Sequence, residues 1–355
     1  MLDLESLGWS PFFERQIDSS GDAGLLPARV IEEHRDRCRV LAACGELLAE
    51  VPGALRHGAC RGADLPVTGD WVLVHPAGEG RAVIRRLLER RTRFSRRAAG
   101  RREAEQVVAA NVDTVFVVQG LDGDFNLRRL ERYLARLWES GARLVVLLNK
   151  ADLCADPAAY AAEAERVAGG APVHPVSAVL PGGLDPVQAY LAPGLTASFV
   201  GSSGVGKSTL VNRLAGEELL AVREISAPGR GRHTTTARRL VPLPGRGLLL
   251  DTPGMRSLGL WAGERGFAQA FEDVEALGRE CRFQDCSHGP EPGCAVRAAL
   301  ASGALAPDRF ESFLKLQAEL RYEARRHDHA LQLEETKKWR RIHLEQRRMP
   351  DKRRI

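Results

Sequence analysis

Short apolar runs broken by turns fill residues 38–105. The strand-length runs are RVLAACG, ELLAEVPG, DWVLVHP and RAVIRRLLERRTRF. A Gly-Asp pair stands before Trp71 and a glycine-containing loop before Arg81, and both features are typical of hairpins or tight connections. Several short strands at this spacing predict a small β-barrel.

From residue 106 onward the pattern changes, because apolar runs now alternate with helical stretches. The run DTVFVVQG precedes the helical stretch NLRRLERYLARLWES, and the run ARLVVLLNK precedes PAAYAAEAERVAG. Further candidates for buried strands are APVHPVSA, TASFVGSS and GLLLDTPG. The alternation predicts an α/β domain with a mostly parallel sheet and flanking helices. Ligands are then expected at the carboxyl ends of the strands.

The strand pattern stops after residue 262. A helix, a cysteine-rich segment and a long charged helix beginning near Ala306 follow. With 355 residues the chain is long enough for two or three separate cores. We predict four parts: an N-terminal extension at 1–37, a β-barrel at 38–105, an α/β domain at 106–262, and a helical domain with a basic tail at 263–355.

The motif with the highest specificity is GSSGVGKST, between the strand TASFV and a helical stretch. It comprises Gly201, Ser202, Ser203, Gly204, Val205, Gly206, Lys207, Ser208 and Thr209. In this context GxxxxGK[ST] predicts a phosphate loop, in which backbone N–H groups and the helix N-terminus face phosphate oxygens. We expect the Lys207 ammonium to reach the β- and γ-phosphates, where it acts in catalysis, and the Ser208 hydroxyl to ligate Mg²⁺.

Two further strand ends predict which base is bound. The motif NKAD closes the run ARLVVLL and supplies Asn149, Lys150 and Asp152. The Asp152 carboxylate can accept hydrogen bonds from the ring N–H and the exocyclic amino group of guanine, a donor pair that adenine lacks. A site built on such buried bonds rejects the wrong base strongly. Ser177 and Ala178 end the next strand, where a backbone N–H is expected to face the guanine carbonyl oxygen.

Two segments predict the switches that sense the γ-phosphate. In the sequence DTPG after the run GLLL, Asp251 would hold Mg²⁺ through water and the Gly254 N–H would meet the γ-phosphate. Between this sequence and the phosphate loop lies the stretch GRGRHTTT at 229–236, which predicts the first switch. One of its threonines is expected to complete the Mg²⁺ shell, and we take Thr235 as the candidate.

The attacking water needs a group that orients it. Many GTPases carry glutamine directly after DxxG, whereas this chain has Met255, whose side chain cannot orient water by hydrogen bonding. His233 is the candidate catalytic residue, because an imidazole can accept or donate a proton near neutral pH. A contact between His233 and an RNA or protein partner would explain this residue equally well.

A second site is predicted in the cysteine-rich segment. Cys281, Cys286, His288 and Cys294 lie within fourteen residues. Three thiolates and one imidazole satisfy tetrahedral Zn²⁺ and leave no open position for water. The spacing therefore predicts one structural zinc ion.

The order of the motifs is itself informative. NKAD and the Ser-Ala pair precede the phosphate loop, which is the reverse of their order in an ordinary GTPase. Joining the neighbouring termini of a compact domain and opening it elsewhere would produce this order. The sequence thus predicts a circularly permuted GTPase, in which DTPG leads directly into the cysteine-rich segment.

Taken together, these features resemble the ribosome small subunit dependent GTPase family, bacterial factors of late small-subunit maturation. The resemblance covers nearly the whole chain and rests on GDWV in a basic barrel, EQVVAANVDTVFVV, the permuted motifs, RHTTT and CxxxxCxHxxxxxC. It implies an OB-fold barrel, GTP hydrolysis stimulated by the small subunit and coupled to its maturation and to factor release, and Zn²⁺ held by the cysteine-rich segment. The N-terminal segment and the long tail carry the least of the likeness.

The placement of charge agrees with an RNA partner. The formal net charge is +5, and arginines cluster from Arg85 to Arg102 and again from Arg321 to Arg354. Both clusters could contact rRNA phosphates, although a charged stretch is also the ordinary composition of a solvated face. No apolar run is long enough for a membrane span and the N-terminus lacks a secretory signal, so we expect a cytoplasmic protein. We also expect it to be a monomer.

Two alternatives follow from the same residues. The chain could be a guanine-nucleotide sensor that binds RNA or ribosomes and hydrolyses GTP only incidentally, which Met255 favours slightly. It could also be a factor that uses the cysteine-rich segment for chemistry, but a metal with four protein ligands opposes that reading.

Overall fold

A computed structural model provides the architecture. It describes residues 2–18, 21–34, 36–53, 55, 65–97, 105–216, 238–251, 263–289 and 291–322. Within these ranges, no helix combines the length and the apolar character that a membrane crossing requires.

Five strands close into a barrel. They are β1 (Leu26–Glu33), β2 (Arg37–Ala42), β3 (Gly45–Glu50), β4 (Trp71–Pro76) and β5 (Arg81–Leu87). The pairing order is β1-β2-β3-β5-β4, and β4 pairs back with β1. Small side chains such as Ala28, Ala49 and Ala82 are buried inside, as the narrow interior of a five-stranded barrel requires. The predicted OB-like barrel is confirmed.

The barrel begins one strand earlier than the predicted boundary at residue 38. Strand β1 lies inside the segment assigned to an N-terminal extension, and it pairs with both β2 and β4. Its four central residues, Ala28 to Ile31, are all buried, because one face lines the barrel and the other packs against the rest of the molecule. A buried arginine at the centre of this strand breaks the apolar pattern that would have predicted it.

A mostly parallel sheet follows the barrel, as predicted. After the antiparallel ribbon of β6 (Arg93–Arg97) and β7 (Glu105–Ala110), the strands are β8 (Thr114–Gly120), β9 (Arg143–Asn149), β10 (Val173–Pro175), β11 (Thr196–Gly201), β12 (Arg239–Pro242) and β13 (Leu248–Asp251). Their order is β10-β9-β8-β11-β13-β12, with β12 antiparallel to β13 and the other neighbours parallel. A single pairing between Glu32 and Arg239 joins β1 to β12.

Helices cover both faces of this sheet. Within the described residues the helices include α1 (Pro11–Glu14), α2 (Leu127–Leu137), α3 (Pro157–Glu165), α4 (Asp185–Gln188), α5 (Lys207–Ala215), α6 (Glu264–Ala270), α7 (Glu272–Arg279), α8 (Ala295–Ser302) and α9, which is described over 307–322. Alternate residues of β8 face opposite layers, so that Val117 packs in one core with Leu134 of α2 and Phe116 in another with Leu210 of α5. Burial on both faces explains why β8 is a continuous apolar run.

The N-terminal segment is part of the folded unit. Phe13 of α1 is fully buried, and the ring of Trp9 lies 5.7 Å from that of Phe13 and 4.8 Å from that of Trp71 in β4. The indole N–H of Trp9 donates to the Glu14 carboxylate at 2.6 Å. These contacts attach the segment to the outside of the barrel.

Arg29 joins the barrel, the N-terminal segment and the α/β domain. Its side chain is 1% exposed, and its guanidinium donates to the carbonyls of Leu7 and Asn111 and to the Thr196 hydroxyl, the last two at 2.9 Å. It also lies over the Trp71 ring, 5.6 Å from the ring centroid. Burial lowers the pKa of Arg29 to about 10, so the side chain stays charged at neutral pH.

A second buried arginine attaches the C-terminal helices to α2. Arg309 of α9 is 5% exposed and donates to Glu131 of α2 at 2.8 Å, to the Asp273 carboxylate at 2.7 Å and to the Ala270 carbonyl at 2.7 Å. Glu131 is itself fully buried and also accepts from the Ser312 hydroxyl. Helix α2 therefore lies between the sheet and the C-terminal helices.

We expect Arg29→Met to lower the free energy of unfolding by about 3 kcal/mol or more, because several buried acceptors lose their donor at about 1–3 kcal/mol each. The measurement is urea denaturation followed by fluorescence. Arg39→Met is the matched control, since the Arg39 side chain is 35% exposed and its ion pairs with Glu32 and Glu46 should contribute about 1 kcal/mol or less. Equal losses in the two variants would contradict the role given to Arg29.

Candidate nucleotide and metal sites

The predicted nucleotide-binding segments follow parallel strands that end at one edge of the sheet. The NKAD motif follows β9, the Ser-Ala pair follows β10, and the phosphate loop follows β11. Asp251 ends β13, but its side chain lies outside the described part of the chain. The common edge is the place where a parallel sheet binds ligands.

The phosphate loop has the strand–loop–helix arrangement that its motif requires. Strand β11 ends at Gly201 and α5 begins at Lys207. Gly206 adopts a φ of +94°, and a Cβ there would lie 2.3 Å from the Asn149 side-chain nitrogen, so the position requires glycine. The Lys207 ammonium donates to the carbonyls of Gly201, at 2.8 Å, and of Ser202. The positive charge of Lys207 therefore lies against the phosphate loop.

Two residues of the NKAD motif bind directly to the phosphate loop. The buried side-chain nitrogen of Asn149 donates to the Val205 carbonyl at 2.8 Å. The Lys150 ammonium donates to the Gly204 carbonyl, also at 2.8 Å. The predicted base-reading and phosphate-binding segments, reversed in chain order, are thus in direct contact.

The predicted guanine-reading residues are also in contact with each other. The Ser177 hydroxyl donates to the Asp152 carboxylate at 2.5 Å, which fixes the orientation of that carboxylate. The Ser177 N–H donates to the Gly183 carbonyl at 3.1 Å. Of the Ser-Ala pair, the Ala178 N–H is therefore the candidate to face a guanine carbonyl oxygen.

Several predicted residues cannot be placed. His233, Thr235 and the rest of the first-switch stretch, as well as Gly254 and Met255, lie outside the described residues. Ser208 and Thr209 are described, and both lie in the first turn of α5, directly after Lys207.

The four predicted metal ligands converge at a single point. The ligand atoms of Cys281, Cys286, His288 and Cys294 all lie within 4.8 Å of one another. The His288 Nδ1 is 3.6 Å from the Sγ atoms of Cys281 and Cys294, which are 3.9 Å apart. Tetrahedral zinc with bonds of about 2.3 Å to sulfur and about 2.0 Å to nitrogen places such atoms about 3.5–3.8 Å apart. The residues fit a structural zinc site.

The surroundings of Cys281 favour its thiolate, whereas burial and the neighbouring thiols raise the pKa of Cys286 to about 11. Desolvation alone would raise the pKa of Cys281, but backbone N–H groups of Val296 and Ala295 and the neighbouring thiols outweigh that effect and lower the pKa. The two N–H groups belong to the first turn of α8, which begins directly after Cys294. A helix N-terminus stabilises negative charge in this way.

Two side chains outside the predicted motifs also reach the candidate nucleotide site. Asp122, in the loop after β8, forms an ion pair with Lys150. Tyr133, on α2, forms a side-chain hydrogen bond with Ser202 of the phosphate loop. Asp122 could have been suspected because it follows a buried strand. Tyr133 could not, since it has the spacing of an ordinary core residue on an amphipathic helix.

Known proteins match this chain closely. The family model for the RsgA GTPase matches residues 87–261. The small ribosomal subunit biogenesis GTPase RsgA of Opitutus terrae is 48% identical over 98% of this chain and 97% of its own length. The protein of the same name from Streptomyces coelicolor is 45% identical over 89% of this chain and 86% of its own length.

Two solved structures have a fold similar to that of this chain. YjeQ from Thermotoga maritima superposes with a TM-score of 0.63 at 26% identity, over 83% of this chain and 98% of that one. YloQ, described as a circularly permuted GTPase, has the same fold, with a TM-score of 0.61 at 20% identity over 86% of this chain and 99% of that one. The predicted permutation is confirmed, and the chain belongs to the RsgA family of GTPases.

Proposed function

We propose that this chain binds the small ribosomal subunit and couples GTP hydrolysis to late maturation of the subunit and to its own release. GTP binding is supported by the two hydrogen bonds from Asn149 and Lys150 to the phosphate loop, because they bring the proposed base-reading and phosphate-binding residues together. The names of the relatives support the small subunit as partner. A factor with this role acts in the cytoplasm, as a monomer.

In this proposal the described edge of the sheet binds the nucleotide. Asp152 accepts from the ring N–H and amino group of guanine, and the Ala178 N–H donates to its carbonyl oxygen. The phosphate loop and Lys207 bind the phosphates, which supply most of the negative charge.

Magnesium and water complete the reaction. Ser208 and Thr235 would ligate Mg²⁺ directly and Asp251 through water, while the Gly254 N–H would meet the γ-phosphate. His233 would orient the attacking water in the absence of a glutamine after DxxG. The metal neutralises charge that develops on the phosphate oxygens.

The parts of the chain have separate roles in this proposal. The barrel, which includes β1 as well as residues 38–105, provides an RNA-binding surface, as OB-folds do. The domain at 106–262 binds GTP. The domain at 263–355 carries a zinc ion on Cys281, Cys286, His288 and Cys294. The metal holds this segment against the apolar core of the C-terminal helices, which includes Phe271 and Phe313.

Replacing Asp152 by asparagine should change base preference. Guanine would lose the acceptor for two N–H donors, so we expect GTP affinity to fall about 100-fold or more. Xanthosine triphosphate should bind better than GTP, because its ring carbonyl can accept from the new amide. Asp156→Asn is the control, since Asp156 accepts from the Ala159 N–H at the start of α3 and asparagine caps a helix equally well. Unchanged GTP affinity in Asp152→Asn, measured with fluorescent nucleotides, would contradict the assignment.

Purified small subunits should stimulate GTP turnover by about tenfold or more, and purified large subunits should not. In His233→Ala we expect the stimulated rate to fall while binding to the small subunit is retained. Unchanged maximal turnover in this variant would assign His233 to a partner contact instead. Absence of stimulation in the wild-type chain would contradict the subunit role.

A non-hydrolysable GTP analogue distinguishes a GTPase whose hydrolysis drives its release from a nucleotide sensor whose hydrolysis is incidental. If hydrolysis drives release, the analogue should hold the protein on small subunits in a sedimentation assay, whereas GTP should not. Equal release with the analogue and with GTP would favour incidental hydrolysis.

One zinc ion per chain is expected after purification without added metal. Cys294→Ser should lose zinc and lower the melting temperature, because three ligands hold the ion less firmly than four. Cys154→Ser, a half-buried cysteine outside the cluster, should keep its metal and serves as the control. Substoichiometric metal in a folded wild-type protein, measured by atomic emission, would argue against a structural ion.

A further inference from the structure

The segment between β8 and the middle of α2, residues 121–133, contacts the nucleotide site at two points outside its motifs. At the first point, the Asp122 carboxylate forms an ion pair with the Lys150 ammonium. A Cβ on Gly120 would lie 2.5 Å from the Asp122 Oδ1, so the glycine that ends β8 leaves room for this carboxylate.

Asp122 gives Lys150 a second acceptor. The Lys150 ammonium already donates to the Gly204 carbonyl at 2.8 Å. The backbone of Lys150 adopts a φ of +64°, which is unusual for a residue other than glycine. A lysine side chain has many rotamers, and fixing it in one costs conformational entropy. The ion pair with Asp122 favours the rotamer that reaches the phosphate loop.

At the second point, α2 contacts the loop directly. Tyr133 is 3% exposed and forms a side-chain hydrogen bond with Ser202, whose carbonyl accepts from Lys207. Burial raises the pKa of Tyr133, so the phenol keeps its proton at neutral pH. Ser202 lies two residues before Gly204, where Lys150 makes its contact, so the two contacts hold different parts of the phosphate loop.

We propose that Asp122 and Tyr133 are positioning residues that hold the phosphate loop in its nucleotide-binding shape, Asp122 through Lys150 and Tyr133 through Ser202. A loop that is already ordered loses less entropy when phosphate binds. The effect falls on ground-state binding of GTP and GDP alike, and the chemical step is left unchanged. This inference rests on the proposed GTPase function.

The test compares Asp122→Ala and Tyr133→Phe with two matched controls. Asp124→Ala removes an aspartate of the same loop whose side chain is similarly exposed, 32% against 30%, and pairs with Arg129 instead. Tyr190→Phe removes a phenol that bonds His174 at 3.0 Å. Fluorescent GDP and a non-hydrolysable GTP analogue give Kd, steady-state turnover gives KM and kcat, and calorimetry gives the melting temperature without nucleotide.

We expect Asp122→Ala and Tyr133→Phe each to raise Kd and KM about five- to tenfold, the loss of about one hydrogen bond, with kcat and the melting temperature close to those of the controls. In double variants, Lys150→Met should abolish the effect of Asp122→Ala, and Ser202→Ala that of Tyr133→Phe.

Three results would overturn the inference. They are Kd values equal to those of the controls, additive effects in the double variants, and a fall in kcat with KM unchanged. A wild-type chain that fails to bind guanine nucleotides would instead overturn the proposed function, so the two failures are distinguishable.

Discussion

The parallel pairing of β8 with β9 and β11 is the constraint on which the candidate nucleotide site depends. It places the carboxyl ends of β9 and β11 two strands apart at one edge, so that Asn149 can reach the Val205 carbonyl. Strand order in the sheet, unlike order along the chain, is fixed by this pairing. The motifs can therefore be permuted in sequence while the site they form keeps its geometry.

Buried guanidinium groups join the other parts of the molecule to this sheet. Arg29 connects the barrel with Asn111 and Thr196 of the α/β domain, and Arg309 connects the C-terminal helices with Glu131 of α2. An apolar contact tolerates sliding, whereas several directional bonds to one planar group fix both distance and orientation. Such junctions fit a protein in which separate modules must stay aligned.

Local sequence patterns were sufficient to predict the mostly parallel sheet and the cluster of three cysteines and one histidine. Burial on both faces makes β8 a continuous apolar run, and the phosphate loop, NKAD and the metal ligands are local in sequence. Strand β1 escaped prediction because Arg29 lies at its buried centre, where only contacts from distant segments satisfy the charge. Tyr133 escaped for a related reason, since its hydrogen bond depends on how α2 packs against the phosphate loop.

Helix α2 is the element in which these features meet. Tyr133 bonds to Ser202 of the phosphate loop, and Glu131, two residues earlier on the opposite side of the helix, accepts from Arg309 of the C-terminal unit. The sequence predicts one connection between the candidate nucleotide site and the cysteine-rich segment, because the chain runs directly from DTPG into that segment. Through α2 the described structure contains a second connection, made of side chains. Helix α2 is only eleven residues long and is expected to move as one rigid element. A displacement of the C-terminal helices that shifts α2 would therefore change the contact of Glu131 with Arg309 and the contact of Tyr133 with Ser202 together.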